Sequence, residues 1–220
     1  MQTLIKNSSL PSENSDRNSI ILEGISWSTF QIIMEEVGEN RGWRITYDQG
    51  VLEIKMPHSE HEIAIRMLDS FIGSIADELE IEVMNIGSLT LERKDLSRAI
   101  EPDSCFYIQN ESQIRGIKSI KLSNCPPPDL VIESDHTNSS LNKFDIYASL
   151  GVPEIWRYRN QNLEVYQLKN GQYEKSVNSL AFPFLPIIEI SDFIEQSLIV
   201  GQRKTVKLFR NRIREILNNE

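Results

Sequence analysis

Residues 125–159 read CPPPDLVIESDHTNSSLNKFDIYASLGVPEIWRYR. The prolines Pro126, Pro127 and Pro128 cannot lie inside a sheet, so they launch a strand that begins near Asp129. The DLVIE segment, 129–133, is short, apolar and β-branched, which suits a buried strand. The polar loop DHTNSS, 135–140, leads into a helix from about Leu141 to Leu150, closed by Gly151. VPEIWRYR, 152–159, then returns as a strand. Strand alternation points Asp129, Val131 and Glu133 one way and Leu130 and Ile132 the other. A buried strand that ends on a carboxylate must meet that charge with a cation, a proton or hydrogen-bond donors. A salt bridge or exposure at the strand end would do so structurally; a functional site would do so chemically.

Toward the N-terminus, Ser26 reads as the N-cap of a helix carrying Trp27, Phe30, Ile33, Met34 and Val37 at helical spacing. WRITYDQGVLEIKMP, 43–57, reads as a hairpin turning at Asp-Gln-Gly and stopped by Pro57. Ile63, Met67, Leu68, Phe71, Ile75 and Leu79 form the apolar stripe of a second helix. Short strands are expected over 82–86, 88–92 and 103–108, with RKDLSRAIEP, 93–102, as a polar linker. Beyond Arg159, NLEVYQLKNGQYEK is a strand pair joined by an Asn-Gly turn. The C-terminal segment reads as one amphipathic helix over 192–218. Val206, Phe209, Ile213 and Leu217 face inward, and Arg203, Lys207, Arg210 and Arg214 lie opposite. Residues 1–19 read as a flexible leader and 20–220 as one mixed α/β domain.

Composition narrows the function classes. With 23 Lys and Arg against 32 Asp and Glu, the net charge of −9 excludes nucleic-acid binding through the overall field and requires a local basic patch. The 40% hydrophobic and 25% charged content excludes wholesale disorder. Cys105 and Cys125 are too few for a disulfide framework or a four-cysteine zinc site. No apolar run approaches the roughly 20 residues that span a bilayer. The expectation is a reduced, soluble, cytoplasmic protein.

Two further residues fit around Glu133. Asp103 follows Glu101 and Pro102 at the start of a strand, where Pro-Asp can also simply open a turn. Lys143 begins the helix after the Glu133 strand, and by itself reads as a surface lysine. Together, two carboxylates on adjacent strand ends can hold Mg²⁺ with water completing the octahedron. A lysine beside them can position an attacking water or stabilise phosphoryl charge. That set is the minimum for hydrolysing a phosphodiester.

With these residues in view, the sequence resembles the "putative restriction endonuclease" family of the PD-(D/E)XK nuclease superfamily. The carrying segments are GSLTLERKDLSRAIEPDSCFYIQN, PPPDLVIESDHTNSSLNKFDIYASLGVPEIWRY and LEVYQLKNGQY. The likeness runs from about Ile25 to Phe193. It is most specific where EPD, PPDLVIE and Lys-x-x-x-Tyr-x-x-x-Gly-Val-Pro-Glu occur in that order.

The resemblance implies a restriction-endonuclease-like core, a mixed β-sheet flanked by helices in a mixed α+β protein. It also implies a divalent-metal site, with Asp103 as the "PD" aspartate and Glu133 as the acid of the (D/E)XK element. The pattern's lysine, two places after the acid, is Asp135 here, which makes Lys143 the natural substitute. Asp135 is then a third metal ligand or a loop cap, and Glu60 or Glu62 is the acid that the superfamily often adds from its first core helix. The implied activity is a Mg²⁺-dependent endodeoxyribonuclease, with Mn²⁺ as a substitute ion and DNA as substrate. A homodimer would let one site per chain cut both strands. The alternative is a non-catalytic nuclease-fold module that binds DNA or protein, which the negative charge and displaced lysine favour.

Of the histidines His58, His61 and His136, the first two have chelating spacing, but His58 precedes the helix, which argues against zinc. Arg93, Lys94 and Arg98 are candidates to steer DNA, and the basic side of the C-terminal helix is either a phosphate contact or a solvated flank. Trp156 and Tyr158, at alternate strand positions, read as core rather than as base-stacking platforms.

Overall fold

The strand–helix–strand reading of 125–159 is met in the computed structural model, which describes residues 19–38, 41–56, 59–134 and 141–219, with the backbone alone at 59–61. The first half runs β1 (Ser19–Glu23), α1 (Trp27–Val37), β2 (Arg44–Asp48), β3 (Val51–Lys55), α2 (Ser59–Leu79), β4 (Met84–Asn85), β5 (Leu91–Arg93), β6 (Arg98–Ile100) and β7 (Ser104–Tyr107). The second runs α3 (Glu111–Ile114), β8 (Leu130–Ser134), α4 (Lys143–Leu150), β9 (Glu154–Arg159), β10 (Asn162–Lys169), β11 (Gln172–Ser176), α5 (Ile187–Val200) and α6 (Gln202–Asn218).

Local chemistry sets several of these boundaries. The Ser26 hydroxyl accepts from the Thr29 amide at 3.2 Å and caps α1. The β2–β3 hairpin turns at Gln49 and Gly50, both at positive φ, which is the twist that two-residue hairpin loops demand. Asn142 caps α4, and Gly151, at φ 80°, ends it in the left-handed conformation that favours glycine.

The strands form two sheets. The first has the order β1-β3-β2-β6-β5 and is antiparallel throughout. The second has the order β11-β10-β9-β8-β7-β4. Its one parallel pair is β8 with β9, joined by α4, which a parallel connection requires as a crossover.

Packing arranges these parts in layers. α2, α5 and α6 cover one face of the second sheet, meeting Leu130, Ile132, Phe106 and Trp156. Val131, Cys105 and Ile155 on the other face meet Ile146, Tyr147 and Leu150 of α4, together with Leu91 and Ile100 of the first sheet. The far face of the first sheet, with Ile45, Tyr47, Leu52 and Ala99, is covered by α1 through Phe30. Trp156 is fully buried and Tyr158 nearly so, as expected of core residues. Cys105 and Cys125 are both buried and free, and burial pushes the Cys105 thiol up to about 12.

Two expectations are corrected. The polar linker expected over 93–102 contains β6, three residues held from both sides by β2 and β5. A segment that short shows too little alternation to be read without its partners. The single helix expected over 192–218 is two helices, α5 and α6, separated at Gly201. Gly201 has φ 91° and ψ 145°, a conformation that only glycine takes readily, and it lets both helices pack on the same core. The loop 135–140 with Asp135 and His136, together with His58 and residues 1–18 of the leader, lies outside the described residues.

Phe71 of α2 is fully buried, and its ring centroid lies 4.3 Å from that of Phe209 in α6. Phe71→Ala should lower unfolding free energy by about 3–5 kcal/mol in urea titration. Ile32→Ala, at a position 56% exposed, should change it by no more than about 0.5 kcal/mol.

Candidate active site

Glu133 occupies the fourth position of β8 and is only 2% exposed. It shares a face with Val131, as alternation requires, and that face is covered by α4. Lys143, the first residue of α4, donates from Nζ to Glu133 Oε2 at 2.6 Å. The Tyr147 hydroxyl, one helical turn further on, donates to Glu133 Oε1. Both carboxylate oxygens therefore have donors from a single helix face. Burial first, and then the charges of Glu133 and Asp103, hold the Tyr147 hydroxyl well above the ordinary tyrosine range, so it remains a proton donor near neutral pH.

Asp103 lies one residue before β7. The β7–β8 pairing ends with Ser104 against Ile132, which leaves Asp103 just beyond the ladder at the Glu133–Ser134 end of β8. Asp103 Oδ2 accepts from the Ser134 amide at 2.8 Å, which ties its carboxylate to the end of β8. Asp103, Glu133 and Lys143 are thus brought together from β7, β8 and α4. The charged row extends across the sheet. Arg157 of β9 is in register with Glu133, and Glu164 of β10 with Arg157. Arg157 donates to Glu164 Oε2 at 2.6 Å and stacks against Phe144 and Tyr166.

Asp129, on the same side of β8 by alternation, has a structural task. It accepts from the amides of Ile108 and Asn110 at 2.7 and 2.9 Å and from the Asn110 side chain. Glu101 is also structural. It accepts from Arg41, from Thr90 Oγ1 at 2.6 Å and from the Ile45 amide at 3.2 Å, binding the loop after β6 to the first sheet.

The first sheet supplies the opposite wall. Ile45 and Tyr47 face α1, so Arg44 and Thr46 of β2 face the second sheet, beside Lys55 and Glu53 of β3. A narrow cleft results, lined by Arg44, Thr46, Lys55, Glu62, Asp103 and Lys143 among others. Tyr147, Arg44, Thr46 and Lys55 are absent from the sequence-based set. The four-residue spacing of Lys143 and Tyr147 carried the signal for the tyrosine. Nothing in the hairpin sequence tells which of its faces meets the acids.

Glu62 of α2 lines this cleft, while the side chains of Glu60 and His61 lie outside what is described. Arg93 is paired with Asp95, and Arg98 with Asp48, so neither is an unengaged cation. Arg210 and Arg214 of α6 reach Glu78 of α2, which accounts for half of the four-residue basic side of that helix internally. Among the described residues no three His, Cys, Asp or Glu side chains cluster in a way that could hold a metal ion. The donors on hand are the carboxylates of Asp103 and Glu133, and Glu133 already accepts an ammonium cation. Such a set suits a hard ion that keeps most of its waters. No described helix is long and apolar enough to cross a membrane.

Comparison with known proteins agrees with this architecture. A putative nuclease belonging to DUF820 from Anabaena variabilis ATCC 29413, known from its crystal structure, superposes with a TM-score of 0.51 at 16% sequence identity, covering 83% of this chain and 99% of that one. That likeness shows the restriction-endonuclease-like fold, a mixed α+β core flanked by helices. No curated protein matches the sequence. The family model Uma2, described as "Putative restriction endonuclease", matches residues 27–199, most of the chain, and the protein belongs to that family.

Proposed function

We propose that the protein is a Mg²⁺-dependent endodeoxyribonuclease that hydrolyses phosphodiester bonds in DNA. The observation that carries the reading is the buried Glu133 carboxylate, hydrogen-bonded by Lys143 and Tyr147 beside a cleft that Asp103 and Lys143 line, with Asp103 tied to the next residue of β8. A group this buried and charged is costly, and such groups concentrate where a site uses them.

Asp103 and Glu133 would hold the ion. When bound, Mg²⁺ supplies an acidified water and neutralises phosphate charge. The remaining tasks fall to the chain. The Ser134 amide fixes the Asp103 carboxylate, and Tyr147 fixes Oε1 of Glu133, so both acids are held in place for a cation. The Lys143 ammonium, at the same edge, orients the attacking water and offsets charge on the phosphoryl oxygens. The walls formed by Arg44, Thr46 and Lys55 confine the substrate opposite the acids.

Purified protein with Mg²⁺ or Mn²⁺ is expected to nick or cut DNA, and chelation to abolish this. Glu133→Ala and the isosteric Glu133→Gln should each lower the rate at least about 100-fold, the usual scale for losing an electrostatic stabiliser. Equal cleavage by wild type and both variants would refute the role given to Glu133, and absence of cleavage by the wild type with either ion would leave the fold as a binding module.

Tyr147→Phe removes only the hydroxyl held on Glu133. Outer-sphere partners of this kind typically control about 10–100-fold in metal affinity or activity. The variant should need correspondingly more Mn²⁺ for half-maximal cleavage, read from a metal titration, while its circular dichroism stays unchanged.

A further inference from the structure

Among the described residues, Arg44 is a cation whose side chain has no partner. It opens β2 opposite Lys55 and projects from the face of the first sheet that looks onto the acids. Its Nε is buried and donates to nothing, and among the described residues its side chain has no hydrogen-bond or ion-pair partner. By contrast, Arg41, Arg98 and Arg157 each meet a carboxylate. A buried donor left unsatisfied costs stability, so a fold that keeps one gains something elsewhere.

Its position suggests what is gained. Arg44 lines two clefts at once. One is the narrow cleft with Asp103, Ser134 and Lys143; the other is a wider one bounded by Trp43, Ser88, Thr90 and Lys121. It therefore stands on their shared wall. The guanidinium is planar, always charged, and matches a phosphate with two parallel N–H donors. Lys55, its cross-strand neighbour, adds a second cation to the same wall.

We propose that Arg44 binds a backbone phosphate next to the scissile linkage, so that the substrate strand passes from the wider cleft over Arg44 to Asp103 and Glu133. The proposal rests on the nuclease reading above but assigns a residue and a strand path to it. Arg44 is a substrate-positioning residue here; it holds a phosphate that does not react.

Fluorescence anisotropy tests this with a labelled DNA oligonucleotide, without added metal, over a series of KCl concentrations. Arg44→Ala should bind about fivefold to tenfold more weakly near physiological salt. The slope of log affinity against log salt should be less steep by about 0.9 for duplex or 0.7 for single-stranded DNA. Arg44→Lys should recover the slope, because it keeps the charge, but not the full affinity. In cleavage assays Arg44→Ala should raise KM with little change in kcat. An unchanged salt slope, or a lower kcat with unchanged binding, would overturn the proposal. If Arg44→Ala does not fold, Arg44→Gln and Arg44→Lys carry the same comparison. Wild-type protein that binds no oligonucleotide overturns both this proposal and the nuclease reading. Arg44-dependent binding without any cleavage overturns the nuclease reading and leaves Arg44 as a phosphate contact of a DNA-binding fold.

Discussion

The buried charge of Glu133 is the constraint on which the rest of the structure depends. A carboxylate on a central strand must be met by donors, and here α4 supplies one to each carboxylate oxygen from positions one helical turn apart. α4 can provide them only if it lies directly over β8. That placement follows from its role as crossover between the parallel strands β8 and β9, and from the apolar contacts of Ile146, Tyr147 and Leu150. Tyr147 serves both purposes, with its ring in the core and its hydroxyl on the acid. Arg157 and Glu164 continue the charged row across the sheet, and the Arg157 guanidinium packs under Phe144 of the same helix. Buried ion pairs of this kind seldom outperform apolar residues of equal volume in stability. The Lys143–Glu133 pair is therefore poorly explained as reinforcement of the core, whereas Arg157 and Glu164 are each about a quarter exposed.

The two sheets divide the work around that row. The first sheet spends one face on α1 and turns the other, with Arg44, Thr46 and Lys55, toward the acids. This arrangement reconciles a net charge of −9 with an anionic substrate. Charges spread over the surface act through water and are screened within about 8–10 Å at ordinary ionic strength. The cations of a narrow cleft act at contact distance, where screening is weak. The basic residues on the surface are largely committed elsewhere. Arg210 and Arg214 fasten α6 to α2 through Glu78, and Arg212 fastens α6 to α5 through Glu189.

How much of this was legible in the sequence depended on whether a signal was local. The strand at Leu130–Ser134, α4 with its Gly151 stop, the Ser26 cap and the hairpin of β2 and β3 all follow from turn chemistry and period, and all are present. β6 was hidden because its three residues become a strand only between β2 and β5. The break at Gly201 was hidden because the apolar stripe runs through it. At the site, alternation told that Glu133 and Val131 share a face but not what covers it. The expected acids and Lys143 came from motif order and resemblance. Tyr147 and Arg44 required knowledge of which face of a helix, and which face of a hairpin, meets the carboxylates. That information belongs to packing between segments distant in the chain.

The contact of Lys143 with Glu133 follows the same logic. In the familiar pattern the ammonium stands two residues beyond the acid, on the same strand and facing the same side. Here Asp135 holds that place in the sequence, and the ammonium reaches Glu133 from the next helix instead. On a strand, the lysine and the acid are registered by the backbone that joins them. On α4, the registration is set by how the helix beds into the core, and it carries Lys143 and Tyr147 as one rigid unit. Any displacement of α4 moves both of these donors together. The packing of Ile146 and Leu150 is then as much part of holding the acid as the hydrogen bonds themselves, since sites built on packed helices and strands keep their geometry better than sites on loops.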